Sequence, residues 1–408
     1  MKNSGGLRRS KRARTLELFI VSGWLAIVIA LAAASFYRRG YILYYGDAQA
    51  HLDLSRSIID SRTPGYDQLG TVWLPLLHVI CLPFVRNVWL WSTGLAGTIP
   101  VAFCFVVAGT CFYFAAKTTY GSSLAAAVVI CVLALNPNVL YLGSIPMTEV
   151  VFFAGLALFL VAFAKFRTTA RKSWLTLGIA ASWAMSLTRY DGWFLIPFAS
   201  LWFAIAAPHR KWIVLAVFGV LASLAPAYWI LHNWWETGNG FDFYSGPYSA
   251  KAIQGSKPYS GYHDWALSVL YYGKAAQLCA GSYTLAIGIL GVVCAAIKRV
   301  FAPLGFLLLT PLFYIWSLHS SGNPIHVPQL WPYSYYNTRY GIALVIAAAF
   351  ASGAIVSFLP VRFSKLALAL PIMALIPWLA RPGIGSSICW KESQVNSVAR
   401  RAWTDAGA

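Results

Sequence analysis

Residues 148–172 read TEVVFFAGLALFLVAFAKFRTTARK. The seventeen positions from 148 to 164 are apolar apart from Thr148 and Glu149, and four cations then arrive within eight residues. A helical run of that length nearly spans a hydrocarbon layer about 30 Å thick. A short basic cluster at one end marks the cytoplasmic side. The acid at the other end then faces outward.

The same alternation extends in both directions. Apolar runs occur at about 17–37, 94–116, 122–141, 148–164, 173–188, 192–207, 212–231, 283–297, 301–318, 340–360 and 365–380. This predicts an all-α polytopic membrane protein of about eleven transmembrane helices. Composition agrees: of 408 residues, 59% are hydrophobic, 11% charged and 16% aromatic, with a mean hydropathy of +0.63. Soluble domains carry about 25% charged residues, so a cytosolic enzyme and a disordered chain are both excluded. The aromatic content suits interfacial belts.

Two further stretches, 71–85 and 265–282, read as helices lying at the interface. The first holds two prolines and His78, and the second carries Lys274 at its middle. With the N-terminus inside, the basic pieces LRRSKRAR, KFRTTARK, PHRK, KR and VRFSK all fall on the cytoplasmic side. Counting either ambiguous stretch as a span would move several of them outside. The C-terminus is then outside. Three regions follow: a basic cytoplasmic N-terminus (1–16), a membrane domain (17–380) and an extracytoplasmic tail (381–408). The first run is about 20 residues long without a small-residue cleavage site, so it reads as an anchor rather than a cleavable signal.

The net charge of +19 has no soluble basic domain to carry nucleic acid, so no nucleic-acid partner is expected; topology control and membrane lipid explain it. Of twelve acids, only Glu17 falls inside; the other eleven, Glu392 and Asp405 among them, fall outside. Any chemistry is therefore extracytoplasmic. Ion-coupled transporters place ionisable residues near the bilayer midplane, and none of the eleven runs does. The seven cysteines form no CxxC pair, which speaks against a disulfide framework or a zinc site.

Candidate chemistry gathers in the outside loops. In the first of them, 38–93, a helix is predicted from Asp47 to Asp60, stopped by Thr63, Pro64 and Gly65. Asp47 is placed to take a proton from an acceptor hydroxyl just above the bilayer, or alternatively to cap its helix or pair with the helix dipole. His51, one turn on, reads as support for Asp47, a phosphate or metal ligand, or a packed histidine. Arg56 reads as a phosphate contact or as the partner of Asp53 or Asp60. Glu149, in Pro146-Met147-Thr148-Glu149, is a metal or sugar-hydroxyl ligand or a helix cap. Arg189 and Asp191 are phosphate or sugar contacts or a local ion pair. The loops 232–282 and 319–339 supply aromatics and amides suited to sugars, with Lys251, Lys257, His319 and His326. Arg339 emerges where a lipid phosphate would sit, or snorkels there. No GxSxG, Walker, HExxH or GxGxxG motif is present, so a substrate must arrive already activated.

In this order, the strings GDAQAHL (46–52), DSRTPGYDQLGTVWLPLLH (60–78), SLTRYDGW (186–193) and YYNTRYG (335–341) resemble membrane glycosyltransferases of the C-type fold. The similarity, over residues 17 to about 360, is to the bacterial, family 39-like branch of the protein O-mannosyltransferase and lipid A aminoarabinose transferase superfamily. It implies an enzyme of the bacterial inner membrane. A sugar, mannose being the family's pattern, would pass with inversion from a polyprenyl-phosphate donor to a lipid, glycan or protein acceptor on the periplasmic face. By the resemblance Asp47 is the base, Glu149 the second acidic position and Arg339 a phosphate contact. No metal ligand set and no cofactor is assigned; a divalent cation is left open. Two departures stand out. Asp47 is followed by Ala48 where O-mannosyltransferases carry an acidic pair, and the tail is shorter than in many relatives. Three other readings are a lipid-linked oligosaccharide ligase or polymerase, a glycolipid flippase, and a glycan-binding pseudoenzyme.

Overall fold

The computed structural model describes residues 4–320, 323–380 and 387–407, with side chains from residue 12 to 403. Residues 1–3 of the basic N-terminus, the first six residues of the tail and the side chain of Asp405 lie outside the described residues. No strand occurs among the described residues, only an isolated bridge between His326 and Tyr336.

The elements that position the site are, in chain order, α1 (Ser4–Arg38), α2 (Gly46–Ser57), α3 (Leu76–Val85), α4 (Leu95–Tyr120), α5 (Ser123–Ala134), α6 (Pro137–Gly143), α7 (Thr148–Thr169), α8 (Lys172–Ser186) and α9 (Asp191–Ala206). They continue with α10 (Lys211–Thr237), α11 (Trp265–Ala280), α12 (Ser282–Ile297), α13 (Ala302–Ser320), α14 (Thr338–Phe358), α15 (Val361–Ala380) and α16 (Ile388–Asn396).

Seven of these, α1, α4, α7, α10, α13, α14 and α15, are long and apolar enough to cross a membrane. Two bent pairs raise the number to nine: α5 with α6, bent by 72°, and α11 with α12, bent by 107°. The bends have local causes. Asn136 accepts hydrogen bonds from the amides of Asn138 and Val139, and Pro137 occupies the first turn, so a new helix starts there. Gly281 takes a φ of +77° between α11 and α12.

By length and composition seven to nine spans are thus met, against the eleven expected. The difference lies in α8 and α9, at 15 and 16 residues. At 1.5 Å per residue each covers only about 23 Å. Near residues 71–85 the helix is confined to the ten residues of α3.

Burial separates centre from periphery. The apolar windows of α7 and α14 are 72% and 83% buried, whereas those of α1, α10 and α15 are 17–22% buried. Leu31, Trp212, Val220 and Leu379 are among the large apolar side chains those outer helices expose. Exposed faces of this kind are stable against lipid and not against water, as in an integral membrane protein. Glu17 on α1 accepts hydrogen bonds from Lys117 (2.5 Å) and Tyr113 on α4 (2.5 Å), which fastens the two helices at the end opposite the first loop.

Helices α12 and α14 pack through small residues. A Cβ on Gly291 would lie 2.2 Å from the carbonyl oxygen of Ala351, and one on Gly288 would lie 2.6 Å from the Cβ of Ala348. Close helix approach through glycine and alanine is a membrane packing mode. Gly291→Val is expected to lower stability by about 1–3 kcal/mol, because backbone cannot move aside. Gly273→Ala, built into open space, is expected to leave it unchanged or slightly raised. Thermal unfolding of the two variants in detergent, side by side with wild type, checks the contrast.

Candidate active site

Glu149 is the second residue of α7, and its carboxylate is 2% exposed. Its Oε1 accepts from Nη1 of Arg189 at 3.0 Å and from Nε of Arg339 at 3.1 Å. One oxygen therefore bridges two guanidinium groups from distant parts of the chain.

Each arginine is held further. Arg189 donates to the hydroxyls of Thr148 (2.7 Å) and Tyr314 (3.2 Å) and pairs with Asp191 at 3.4 Å. Asp191 in turn accepts from the Tyr314 hydroxyl at 3.0 Å. Arg339 pairs with Asp47 at 2.6 Å and with Glu392 at 3.4 Å. The Tyr340 ring lies 5.3 Å from the Arg189 guanidinium and 5.5 Å from that of Arg339, and Tyr45 covers Arg339 at 5.2 Å. Buried charges persist only when paired and hydrogen-bonded, and rings over guanidinium planes add cation–π attraction.

Local backbone explains the delivery. Gly192 lets α9 fold back on α8, because a Cβ there would sit 2.5 Å from the carbonyl carbon of Met185. That tight return presents Arg189 and Asp191 together. Asn337 takes a φ of +54°, which asparagine tolerates. Its amide and that of Thr338 then donate to Glu392 at 3.1 and 2.7 Å, and the Thr338 hydroxyl donates as well. The capping alternatives do not hold. Tyr45 and Met147 are the N-cap residues of α2 and α7, so neither Asp47 nor Thr148 nor Glu149 caps a helix.

Asp47 differs from the other acids of the cluster. Its side chain is 39% exposed against 2% for Glu149, Asp191 and Glu392. Oδ2 engages Arg339, and Oδ1 makes no hydrogen bond among the described residues. It faces a cavity of about 600 Å³ that is also lined by His51, Arg189, Asp191 and Arg339, with Trp73 and Tyr190 among the aromatic walls. That volume lies within the range of small-molecule sites. Lys251 lines the same cavity, and among the described residues its ammonium meets the Tyr244 ring, at 5.0 Å.

His51 is buried, with Nδ1 2.9 Å from Nε2 of His78. Burial, then the positive charges of Arg339 and Arg189, bring its pKa down to about 3. It is a neutral imidazole at physiological pH and serves as a hydrogen-bonding wall, not as a cation for phosphate. Burial pushes the Glu392 carboxyl pKa up, against the opposing pull of Arg339 and Thr338.

Two expected site residues lie elsewhere. Arg56 is bound to Asp60 and to the carbonyl of Val85 at 2.6 Å, under the Trp91 ring. Its partner Asp60 is four residues on, in the turn just after α2, so local pairing wins. His326 meets Ser334 at 3.3 Å and bridges to Tyr336. Neither lines the cavity. The reading from sequence missed Glu392, Tyr314 and Tyr340. Glu392 carried no usable signal in the sequence; its neighbours Cys389 and Trp390 are buried beside it. Among the described residues no group of three or more His, Cys, Asp or Glu side chains is arranged to hold a metal ion.

Compared with known proteins, the chain matches no family model, no curated protein and no solved structure.

Two outcomes follow from the cluster. Glu149→Ala leaves two buried guanidiniums facing each other and is expected to cost about 3–5 kcal/mol, while the partly exposed Asp47→Asn costs far less; thermal unfolding in detergent checks both. His51 gives a pH effect of definite sign. Its unfolded pKa is about 6.5, so below that the unfolded chain takes up a proton that the folded chain refuses down to about 3. The stability it contributes is present above pH 6.5 and is lost as pH falls. The fall in Tm from pH 7.5 to 5 is expected to be smaller in His51→Gln than in wild type.

Proposed function

We propose that the chain transfers a sugar from a polyprenyl-phosphate donor to an acceptor on the extracytoplasmic face of the bacterial inner membrane. The observation that carries this reading is Asp47, a half-open carboxylate with one unengaged oxygen on the wall of an aromatic cavity. Asp47 takes the proton from the acceptor hydroxyl as that oxygen attacks the anomeric carbon. The bond to the donor phosphate breaks, and the polyprenyl phosphate departs with the electron pair. Attack from the face opposite the phosphate inverts the anomeric centre. The aromatic walls stack against sugar faces, and the charged groups at the cavity edge orient its hydroxyls.

The departing phosphate needs a cation with free donors. Arg339 and Arg189 are both engaged by carboxylates, so we assign this contact first to Lys251, with Arg339 holding Asp47 in place. This differs from the role that the resemblance gives Arg339. We also propose the eleven-span topology, with α8 and α9 as short spans embedded in protein and the C-terminus outside. Supporting it, the residues that the charge pattern sorts to the outer face, Asp47, Glu149, Arg189, Asp191, Arg339 and Glu392, meet in one cluster.

The test is transfer from labelled polyprenyl-phospho-sugars in membranes carrying the chain. Asp47→Asn is expected to lower transfer by about 10²–10⁴-fold while donor binding persists. Lys251→Met is expected to raise KM for the donor roughly tenfold. Undiminished transfer in Asp47→Asn removes the base assignment, and absence of transfer from every donor removes the reaction.

A further inference from the structure

Two cysteines outside the proposed reaction face each other in the interior. Cys279, in the last turn of α11, and Cys389, in the first turn of α16, are both fully buried, with their sulfurs 4.0 Å apart and unbonded. In sequence they are separated by 110 positions. Their backbones are tied through one side chain. Asn138 donates from Nδ2 to the carbonyl of Cys279 (3.0 Å), and its Oδ1 accepts from the amide of Cys389 (2.9 Å) and the hydroxyl of Ser387 (2.8 Å). Asn136 donates to the same Cys279 carbonyl at 3.0 Å. The two cysteines are thus held in register by a polar staple whose bonds do not involve either thiol.

We propose that Cys279 and Cys389 form a disulfide that fastens the tail helix α16, and Glu392 with it, to the site. The proposal rests on the outer-face topology given above, since disulfides persist in oxidising compartments. A disulfide needs the sulfurs at about 2.05 Å, an approach of roughly 2 Å in which Cys279 Sγ gives up its hydrogen bond to the Thr338 carbonyl at 3.2 Å. The reaction balances with an oxidised dithiol oxidoreductase as acceptor. One cysteine thiolate attacks the oxidant's disulfide and forms a mixed disulfide. The second thiolate then attacks that bond and releases the oxidant as its dithiol. Two protons and two electrons leave the chain.

The timing is set by burial. Within the folded chain the Cys389 thiol is enclosed and its pKa is raised, by burial first and then by Cys279 and Glu392. Fully buried, it is out of reach of a protein oxidant in the folded chain, so oxidation takes place before α16 docks. Once formed, the bond places Cys389 one helical turn from Glu392, the acid that receives the amides of Asn337 and Thr338 and a guanidinium nitrogen of Arg339. It also closes a loop of more than a hundred residues, the case in which a cross-link constrains the unfolded chain most.

The experiment uses the full chain in bacterial membranes. Cells are quenched in acid, and free thiols are blocked with light N-ethylmaleimide under denaturing conditions. The sample is then reduced, labelled with heavy N-ethylmaleimide and digested for mass spectrometry. Expected is heavy label on Cys279 and Cys389 and light label on the other five cysteines. Light label on both overturns the cross-link. In parallel, reductant is expected to lower the Tm of wild type by roughly 5–10 °C and to leave the Cys279→Ser, Cys389→Ser double variant unmoved. Equal responses of the two proteins also overturn it. A membrane-impermeant maleimide on intact spheroplasts carrying Lys257→Cys reads the topology separately. Labelling only after membrane disruption removes the outer-face reading, whatever the thiols show.

Discussion

The carboxylate of Glu149, shared between Arg189 and Arg339, is the constraint on which the rest of the site depends. A buried guanidinium without an acid is costly enough to unfold a protein of ordinary stability. Here a single oxygen at the start of α7 answers two of them. Each arginine then recruits its own acid, Asp191 for one and Asp47 with Glu392 for the other. Segments from both ends of the chain converge on α7 because their charges have no other place to be neutralised. Helix α2 follows the first span and α16 follows the last, yet Asp47 and Glu392 end on the same guanidinium. The surrounding apolar helices supply the low dielectric that makes these contacts strong.

Much of this was legible in the sequence, for a reason specific to membranes. In the expected topology the charged residues lying apart from the basic clusters are a short inventory, and Asp47, Glu149, Arg189, Asp191 and Arg339 all come from it. Apolar runs marked the helices. The number of spans was less legible, since α8 and α9 are only 15 and 16 residues long. Arg56 and His326 were misplaced because each has a partner close in sequence, Asp60 and Ser334, and nearby partners win over distant ones at small entropic cost. Glu392 was the opposite case. Its partners lie more than fifty positions away, and nothing in the string WKESQ announces an interior helix.

Charge balance then distributes the roles. Four carboxylates face two guanidiniums in the cluster, so full ionisation would leave two uncompensated negative charges. Burial relieves part of that excess by raising the Glu392 pKa, which favours a proton on an acid remote from the cavity. An additional cation at the cavity is also favoured, and Lys251 is the one at hand. Its ammonium lies over the Tyr244 ring and makes no hydrogen bond or ion pair among the described residues. An incoming phosphate would meet repulsion from the unneutralised acids without such a group.

The exposure of Asp47 follows from the same arrangement. A base must reach its substrate, and a base on a mobile side chain loses the advantage of position. Arg339 resolves the conflict by being held from three sides, by Glu149, Glu392 and the rings of Tyr45 and Tyr340. It therefore presents a fixed guanidinium nitrogen to Oδ2, while Oδ1 makes no hydrogen bond among the described residues. Mutating the acids behind Arg339 would then act on the reaction without touching substrate, because the cost falls on the orientation of Asp47. In the proposed transferase the buried acids are positioning residues, and Asp47 alone among the four carries the proton.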